Sequence, residues 1–148
     1  MKIIAKMLTL AVFAAAAFSL QAKTVEIEGL DSLEYSEQNI TAEPGEEITI
    51  KLTNNSELPA DAMSHNLVVL VADADARAFD EAAREAGADN DYLPTGMDDQ
   101  IVAHTGMVAG GESDTITFNA PDETGEYDFI CTFPGHYAAG MKGVLEVK

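Results

Sequence analysis

The chain has 148 residues, of which 8 are basic and 26 acidic, and its formal net charge is −18 at neutral pH. This length accommodates one domain, and the charge disfavours binding to nucleic acid or to anionic membrane surfaces. Lys2 and Lys6 precede an apolar stretch over residues 7–20, which is typical of a secretory signal peptide. We predict a signal peptide over 1–22 and a mature domain over 23–148. In a Gram-negative bacterium the mature domain would be periplasmic, without membrane insertion.

The mature region consists mostly of short segments in which apolar and polar residues alternate, and turn residues separate them. An Ala-rich segment over 73–86 differs from this pattern and predicts a surface helix that Gly87 ends. The chain therefore predicts an all-β fold with one short helical insertion. The predicted strands cover residues 25–27, 47–52, 66–72, 114–118, 126–131 and 143–148.

Three potential metal ligands lie close together near the C-terminus. Cys131, His136 and Met141 follow one another with four residues in each gap, and His65 lies far upstream. Cu(I) prefers thiolate and thioether sulfur, whereas imidazole nitrogen suits Cu(II). Two His, one Cys and a weak Met form the trigonal site with an axial ligand that electron-transfer copper proteins use. These four residues therefore predict one copper ion. Pro134, Gly135 and Gly140 predict a loop around that ion rather than a continuous helix.

Other interpretations of these residues explain less of the pattern. A single Cys in an apolar strand is usually a small buried hydrophobe, but an odd Cys in an exported protein suggests a ligated thiol. Zinc sites usually contain paired cysteines and seldom Met. A copper enzyme such as a nitrite reductase would need more histidines, and only His104 remains. We therefore predict that the protein is not an enzyme. The alternative is a periplasmic copper-handling protein, although the mature Met residues are dispersed, at Met63, Met97, Met107 and Met141.

Four short segments carry a family pattern: CTFPGH from Cys131, MKG from Met141, SHN from Ser64 and IVAHT from Ile101. Together they resemble the azurin family of blue copper proteins, the cupredoxins, over nearly the whole mature chain. The four-residue gap between His136 and Met141 is similar to that of the related auracyanins.

The resemblance implies a Greek-key β-sandwich that carries one type 1 copper. It implies equatorial ligands at His65, Cys131 and His136, an axial Met141, and a backbone carbonyl of Ser64 that approaches the metal. It further implies a soluble, monomeric one-electron carrier that cycles Cu(II)/Cu(I). Its partners would be redox proteins such as c-type cytochromes or a terminal reductase.

The surroundings of the site can also be predicted. We expect Asn66 to tie the two ligand loops together and backbone N–H groups near Phe133 to donate to the Cys131 sulfur. We expect electrons to leave through the edge of the His136 imidazole. A small apolar docking patch would surround it, formed by Met63, Pro134, Ala138 and Ala139. We also expect Lys23 and Glu46 to form an ion pair where azurins have a disulfide.

Overall fold

A computed structural model describes residues 22–148 of the chain; the predicted signal peptide, apart from Ala22, lies outside the described residues. Within this region nine strands and two α-helices follow one another. The helices are α1 (Ala76–Ala86) and α2 (His136–Ala139). The strands are β1 (Lys23–Leu30), β2 (Glu34–Tyr35), β3 (Asn39–Ala42), β4 (Glu47–Asn54), β5 (Val68–Leu70), β6 (Ile101–His104), β7 (Glu112–Asn119), β8 (Gly125–Ile130) and β9 (Lys142–Val147).

The strands form two sheets, with the orders β2-β1-β4-β7 and β3-β9-β8-β5-β6. The pairs β1/β4 and β3/β9 are parallel and the other pairs are antiparallel. The chain changes sheets repeatedly, so strands that are distant in sequence become neighbours. This arrangement confirms the predicted all-β Greek-key sandwich with a short helical insertion.

Alternation along each strand explains why the core lies between the sheets. In β4 the side chains of Ile48, Ile50 and Leu52 are almost fully buried, while those between them are partly or fully exposed. In β9 Leu145 and Val147 are buried in the same way. Full burial of such a side chain stabilises the fold by roughly 1.5–3 kcal/mol. This core is the rigid support on which the ligand loops rest.

Most predicted boundaries differ from the structure by one to three residues, and strands β2, β3 and β6 were not predicted. Helix α1 begins at Ala76 rather than at residue 73, because the Asp75 side chain accepts hydrogen bonds from the N–H groups of Arg77 and Ala78 and so caps the helix. The helix ends before Gly87, as predicted. The strand predicted over 66–72 is shorter, covering Val68–Leu70. The predicted loop contains the single helical turn α2, which Gly135 and Gly140 bracket with φ of 86° and 114°.

The predicted ion pair between Lys23 and Glu46 is wrong. The Lys23 ammonium donates instead to the carbonyl of Thr41, and the Glu46 carboxylate accepts a hydrogen bond from the backbone N–H of Glu43 at 2.8 Å. Each side chain therefore forms a hydrogen bond with a nearby backbone group, and the two do not pair with each other. Among residues 22–148 no helix is both long enough and apolar enough to span a membrane.

Candidate metal centre

Three of the predicted ligands converge at one end of the sandwich. His65 lies just before β5, Cys131 directly follows β8, and His136 begins α2. Their donor atoms all lie within 4.8 Å of one another. The Nδ1 atoms of the two histidines are 3.2 Å apart, and the Cys131 Sγ is 3.5 Å from the His136 Nδ1. Three ligands at about 2.0–2.3 Å around one ion in their plane are separated by roughly 3.5 Å. The spacing therefore fits a single metal ion.

The two imidazoles are held neutral. The pKa of His65 is lowered to about 4: burial is the largest cause, the neighbouring His136 also lowers this pKa, and Asp31 partly opposes the shift. Burial also lowers the pKa of His136. Neutral imidazole is the form that binds a metal. Two neutral ring nitrogens 3.2 Å apart can share at most one proton, whereas a metal ion accepts the lone pairs of both.

The Cys131 thiol is fully buried. Burial raises its pKa to about 12, while hydrogen bonds from the backbone N–H groups of Asn66 and Phe133 lower it and the charge of Asp80 raises it. The two N–H donors confirm the predicted hydrogen bonding to this sulfur. They are aimed at a position where negative charge would develop. A coordinated metal ion deprotonates a thiol outright, so this sulfur is built to become a thiolate when a cation binds.

The structure also places Met141 and Ser64 beside these residues. Met141 is completely buried. Its N–H donates to the carbonyl of His136 at 3.0 Å, and its carbonyl accepts from the N–H of Cys131 at 3.2 Å. Ser64 is buried and directly precedes His65, and its hydroxyl donates to the carbonyl of Ala60 at 2.7 Å. Backbone hydrogen bonds therefore link Met141 to both Cys131 and His136.

Asn66 ties the two ligand loops together, as predicted. Its side-chain amide donates to the Thr132 hydroxyl at 2.7 Å and accepts from the Thr132 N–H at 2.8 Å. The Thr132 hydroxyl in turn donates to the carbonyl of Tyr92 at 2.7 Å. From the opposite sheet, the Tyr35 hydroxyl donates to the carbonyl of Asn66 at 2.5 Å. The residues next to His65 and Cys131 are thus locked into one buried network.

Two further residues support the centre and were missed from the sequence. A Cβ at Gly29 in β1 would lie 2.5 Å from the His65 Cδ2, so only glycine leaves room for the ring. Asn54 at the end of β4 is fully buried and donates to the carbonyl of Met63, two residues before His65, and to the carbonyl of Val108, which is paired with His65. A glycine inside a strand can signal a close approach, so Gly29 gave a weak signal. Asn54 follows a predicted strand, where Asn usually marks a turn, so the sequence did not indicate its supporting role.

The other residues singled out in the sequence lie outside the group of converging donors. His104 is exposed, and its Nδ1 is 2.9 Å from the carbonyl of Thr105, away from the three converging donors. Met97 and Met107 pack against the buried clusters. At the surface near the centre, Ala138 and Ala139 are exposed, while Met63 and Pro134 are half-buried. The His136 side chain beneath them is 4% exposed.

Sequence comparisons support a copper site. The family described as "Copper binding proteins, plastocyanin/azurin family" matches residues 21–148. Azurin of Alcaligenes faecalis is 39% identical over 131 residues, which cover 83% of this chain and 96% of the relative. Azurin of Pseudomonas aeruginosa is 36% identical over 128 residues, which cover 84% of each chain. The family match spans all the residues that form the centre.

Structural comparisons agree. Auracyanin A from Chloroflexus aurantiacus, described as a "blue" copper protein, superimposes with a TM-score of 0.77 at 32% identity, over 86% of this chain and all of that one. Dithionite-reduced auracyanin from Roseiflexus castenholzii gives a TM-score of 0.74 at 39% identity, over 85% and 97% of the two chains. The donor set, the fold and the relatives agree on copper as the cofactor. The chain belongs to the plastocyanin/azurin family of copper-binding proteins.

Proposed function

We propose that this protein is a periplasmic blue copper protein that carries single electrons between redox partners and transforms no substrate. The observation that carries the proposal is the convergence of one buried thiol and two buried neutral imidazoles within 4.8 Å. Relatives named azurin and auracyanin support it. In this proposal residues 1–22 are removed on export, and residues 23–148 act as a monomer.

His65, Cys131 and His136 would hold the copper through two imidazoles and a thiolate, and Met141 would add a weak thioether ligand. The backbone carbonyl of Ser64 would be a further oxygen donor close to the ion. The bound copper supplies a centre that accepts and releases one electron. The thiolate and thioether suit Cu(I), and the imidazoles suit Cu(II). One set of side chains can therefore serve both oxidation states.

The protein's contribution is to keep these ligands in place. Asn66 and Thr132 join the two ligand loops through two hydrogen bonds of 2.7 and 2.8 Å. The backbone N–H groups of Asn66 and Phe133 donate to the Cys131 sulfur, which stabilises the thiolate. Such hydrogen bonds and the apolar surroundings of the sulfur tune the reduction potential. Burial of all three donors excludes water. Because little moves when the charge changes, electron exchange can be fast.

Electrons would leave through His136, the ligand nearest the apolar surface. Met63, Pro134, Ala138 and Ala139 would dock against a partner such as a c-type cytochrome or a terminal reductase. Removal of residues 1–22 takes away Lys2 and Lys6, so the net charge of −18 for the whole chain becomes −20 in the mature part. This charge would attract a basic partner over roughly 8 Å at physiological ionic strength. Apolar docking around His136 and long-range attraction by the acidic surface contribute separately to the association with a partner. Salt weakens only the long-range attraction.

The ligand assignment is tested by visible spectroscopy of the purified protein with Cu(II). We expect an intense blue absorption from the Cys–Cu(II) bond, and we expect Cys131→Ser to lose it even when copper still binds. His104→Gln is the matched control, because His104 lies outside the centre. A blue Cys131→Ser protein would refute the assignment. Cell fractionation and N-terminal sequencing of the mature protein test export and cleavage after Ala22.

Electron exchange with a basic c-type cytochrome separates a carrier from a copper-handling protein. A carrier keeps its copper through repeated reduction and oxidation, whereas a copper-handling protein passes the ion to a chelator or acceptor. Ala138→Glu should slow the exchange without changing the spectrum, while Ala78→Glu on the exposed face of α1 should not. If Ala138→Glu matches wild type at every salt concentration, electrons leave through another face.

A further inference from the structure

In a fully buried position, the side chain of Asn54 uses both of its N–H donors and accepts one hydrogen bond at its oxygen. Its Nδ2 donates to the carbonyl of Met63 at 3.1 Å and to the carbonyl of Val108 at 3.0 Å. Its Oδ1 accepts from the N–H of Ser56 at 3.0 Å. Buried polar groups that are fully paired fix a single local arrangement. This side chain therefore holds three separate backbone segments at the end of β4.

Two of those bonds reach the backbone that positions His65. Val108 is the residue that pairs with His65, since the His65 N–H donates to its carbonyl at 3.0 Å and its own N–H donates to the His65 carbonyl at 2.7 Å. Met63 lies two residues before His65 and directly precedes Ser64. One amide group thus holds both the segment that precedes His65 and the segment at Val108 with which His65 is paired.

A simpler role does not account for this geometry. Asn at the end of a strand often accepts a hydrogen bond from a backbone N–H two residues later and so forms a turn. The bond from Ser56 to Oδ1 is of this kind. An Asp would form that turn equally well, and a Ser would form it more weakly. The turn does not require the two hydrogens on Nδ2. Both are donated to the carbonyls of Met63 and Val108, which belong to the segments that position His65.

Asn54 also lies next to the glycine on which the His65 ring rests. In the parallel pairing of β1 and β4, Gly29 is opposite Asn54. Gly29 has no side chain and so leaves space for the His65 ring. The side chain of Asn54 fixes the backbone at Met63 and at Val108, the two segments that position His65. The two residues therefore support the same histidine from adjacent strands, one by being small and one by its hydrogen bonds.

We propose that Asn54 is a positioning residue for the metal centre, which fixes His65 and the Ser64 carbonyl through the backbone without touching the metal. This inference rests on the proposed function, in which His65 is a copper ligand. Partners that orient a ligand indirectly are typically worth about 10–100-fold in metal affinity. We therefore expect loss of the Nδ2 donors to weaken copper binding by about that factor. The reduction potential and the Cu(II) electron paramagnetic resonance spectrum should shift as well.

Asn54→Asp isolates the two donors, because it keeps the size of the side chain and the acceptor for Ser56. Asn119→Asp is the matched control: its Nδ2 donates to the carbonyl of Gly45 at 3.1 Å, on the exposed end of β7. Copper affinity, potential and the resonance spectrum would be measured for both variants, with the unfolding midpoint of each metal-free protein. We expect the spectrum and potential to change for Asn54→Asp and to stay at wild-type values for Asn119→Asp.

Asn54→Ser provides a second variant, since it is neutral and retains an acceptor for Ser56 but cannot reach both carbonyls. Wild-type spectra, potential and copper affinity in either folded variant, with only a lower unfolding midpoint, would overturn the inference. Failure of both variants to fold would also overturn it, because the amide would then serve the fold first. If wild type itself binds no copper in a blue site, the proposed function fails instead.

Discussion

Replacing Gly29 with alanine tests how closely the fold constrains the metal centre. The added Cβ would lie 2.5 Å from the His65 Cδ2 and 2.7 Å from its Cγ, whereas ordinary contacts begin at 3.4 Å. Strand β1 cannot move away, because Gly29 is paired with Tyr35 on one side and with Asn54 on the other. The imidazole must therefore recede by about 1 Å to reach a normal van der Waals separation. Metal–ligand distances tolerate only about 0.2 Å.

We expect Gly29→Ala to fold, with a loss of roughly 1–3 kcal/mol from overpacking, but to bind copper weakly and with an altered visible spectrum. Copper titration and spectroscopy of the purified variant measure this, and denaturant unfolding of the metal-free protein measures the cost to the fold. Gly125→Ala in β8 is the control, because its Cβ would lie 3.9 Å from the nearest atom, the Tyr127 Cε2. Unchanged colour, potential and affinity in Gly29→Ala would refute the argument that this glycine makes room for the ligand ring.

Three further predictions address the network, the axial ligand and pH. Thr132→Val removes the hydroxyl that accepts from the Asn66 amide and donates to the Tyr92 carbonyl. Denaturant unfolding should therefore show a loss of about 1–3 kcal/mol in the free energy of unfolding. Met141→Leu should keep the blue colour but shift the potential measured by voltammetry, because the axial ligand tunes the site. Burial lowers the pKa of His65 to about 4, so between about pH 6.5 and 4 the unfolded chain binds a proton that the folded metal-free chain excludes. Its unfolding free energy should therefore fall by roughly 3 kcal/mol as the pH falls through that window; a metal-free His65→Gln protein with the same loss would contradict this.

The regular elements were predictable where local physics decides them. Alternation predicted β4, β7 and β8, because one face of each strand packs against the core; that face is buried in β4 and β8 and half-buried in β7. Gly87 ended α1 as expected, since its φ of 74° suits glycine. The predicted start at residue 73 was wrong because the sequence has Asp at both 73 and 75, and Asp is a favoured N-cap residue at either position. Only the structure shows that Asp75 receives the N–H groups of the first turn.

The candidate ligands could be predicted from their residue types, but the residues that position them, Gly29 and Asn54, could not. Cys131 and His136 lie five positions apart, so their proximity is local, and a thiol with two imidazoles in one chain already indicates a soft metal. Gly29 is 36 positions before His65, and Asn54 is 54 positions before its acceptor Val108. These long-range contacts depend on which strands pair and in which register. The pairing and register cannot be predicted from the residue pattern of a single sequence.

The division between local and distant ligands has a consequence for how copper and folding are coupled. Cys131, His136 and Met141 would lie within one short segment even in an unfolded chain, and such a segment can bind Cu(I) weakly by itself. His65 joins them only when β1, β4 and the segment at Val108 hold it in place. Copper therefore stabilises the fold by the difference between these two affinities, since binding to the unfolded chain subtracts from the gain. Substitutions at Gly29 or Asn54 should lower that difference, and with it the rise in melting temperature on adding copper, more than they lower the stability of the metal-free protein.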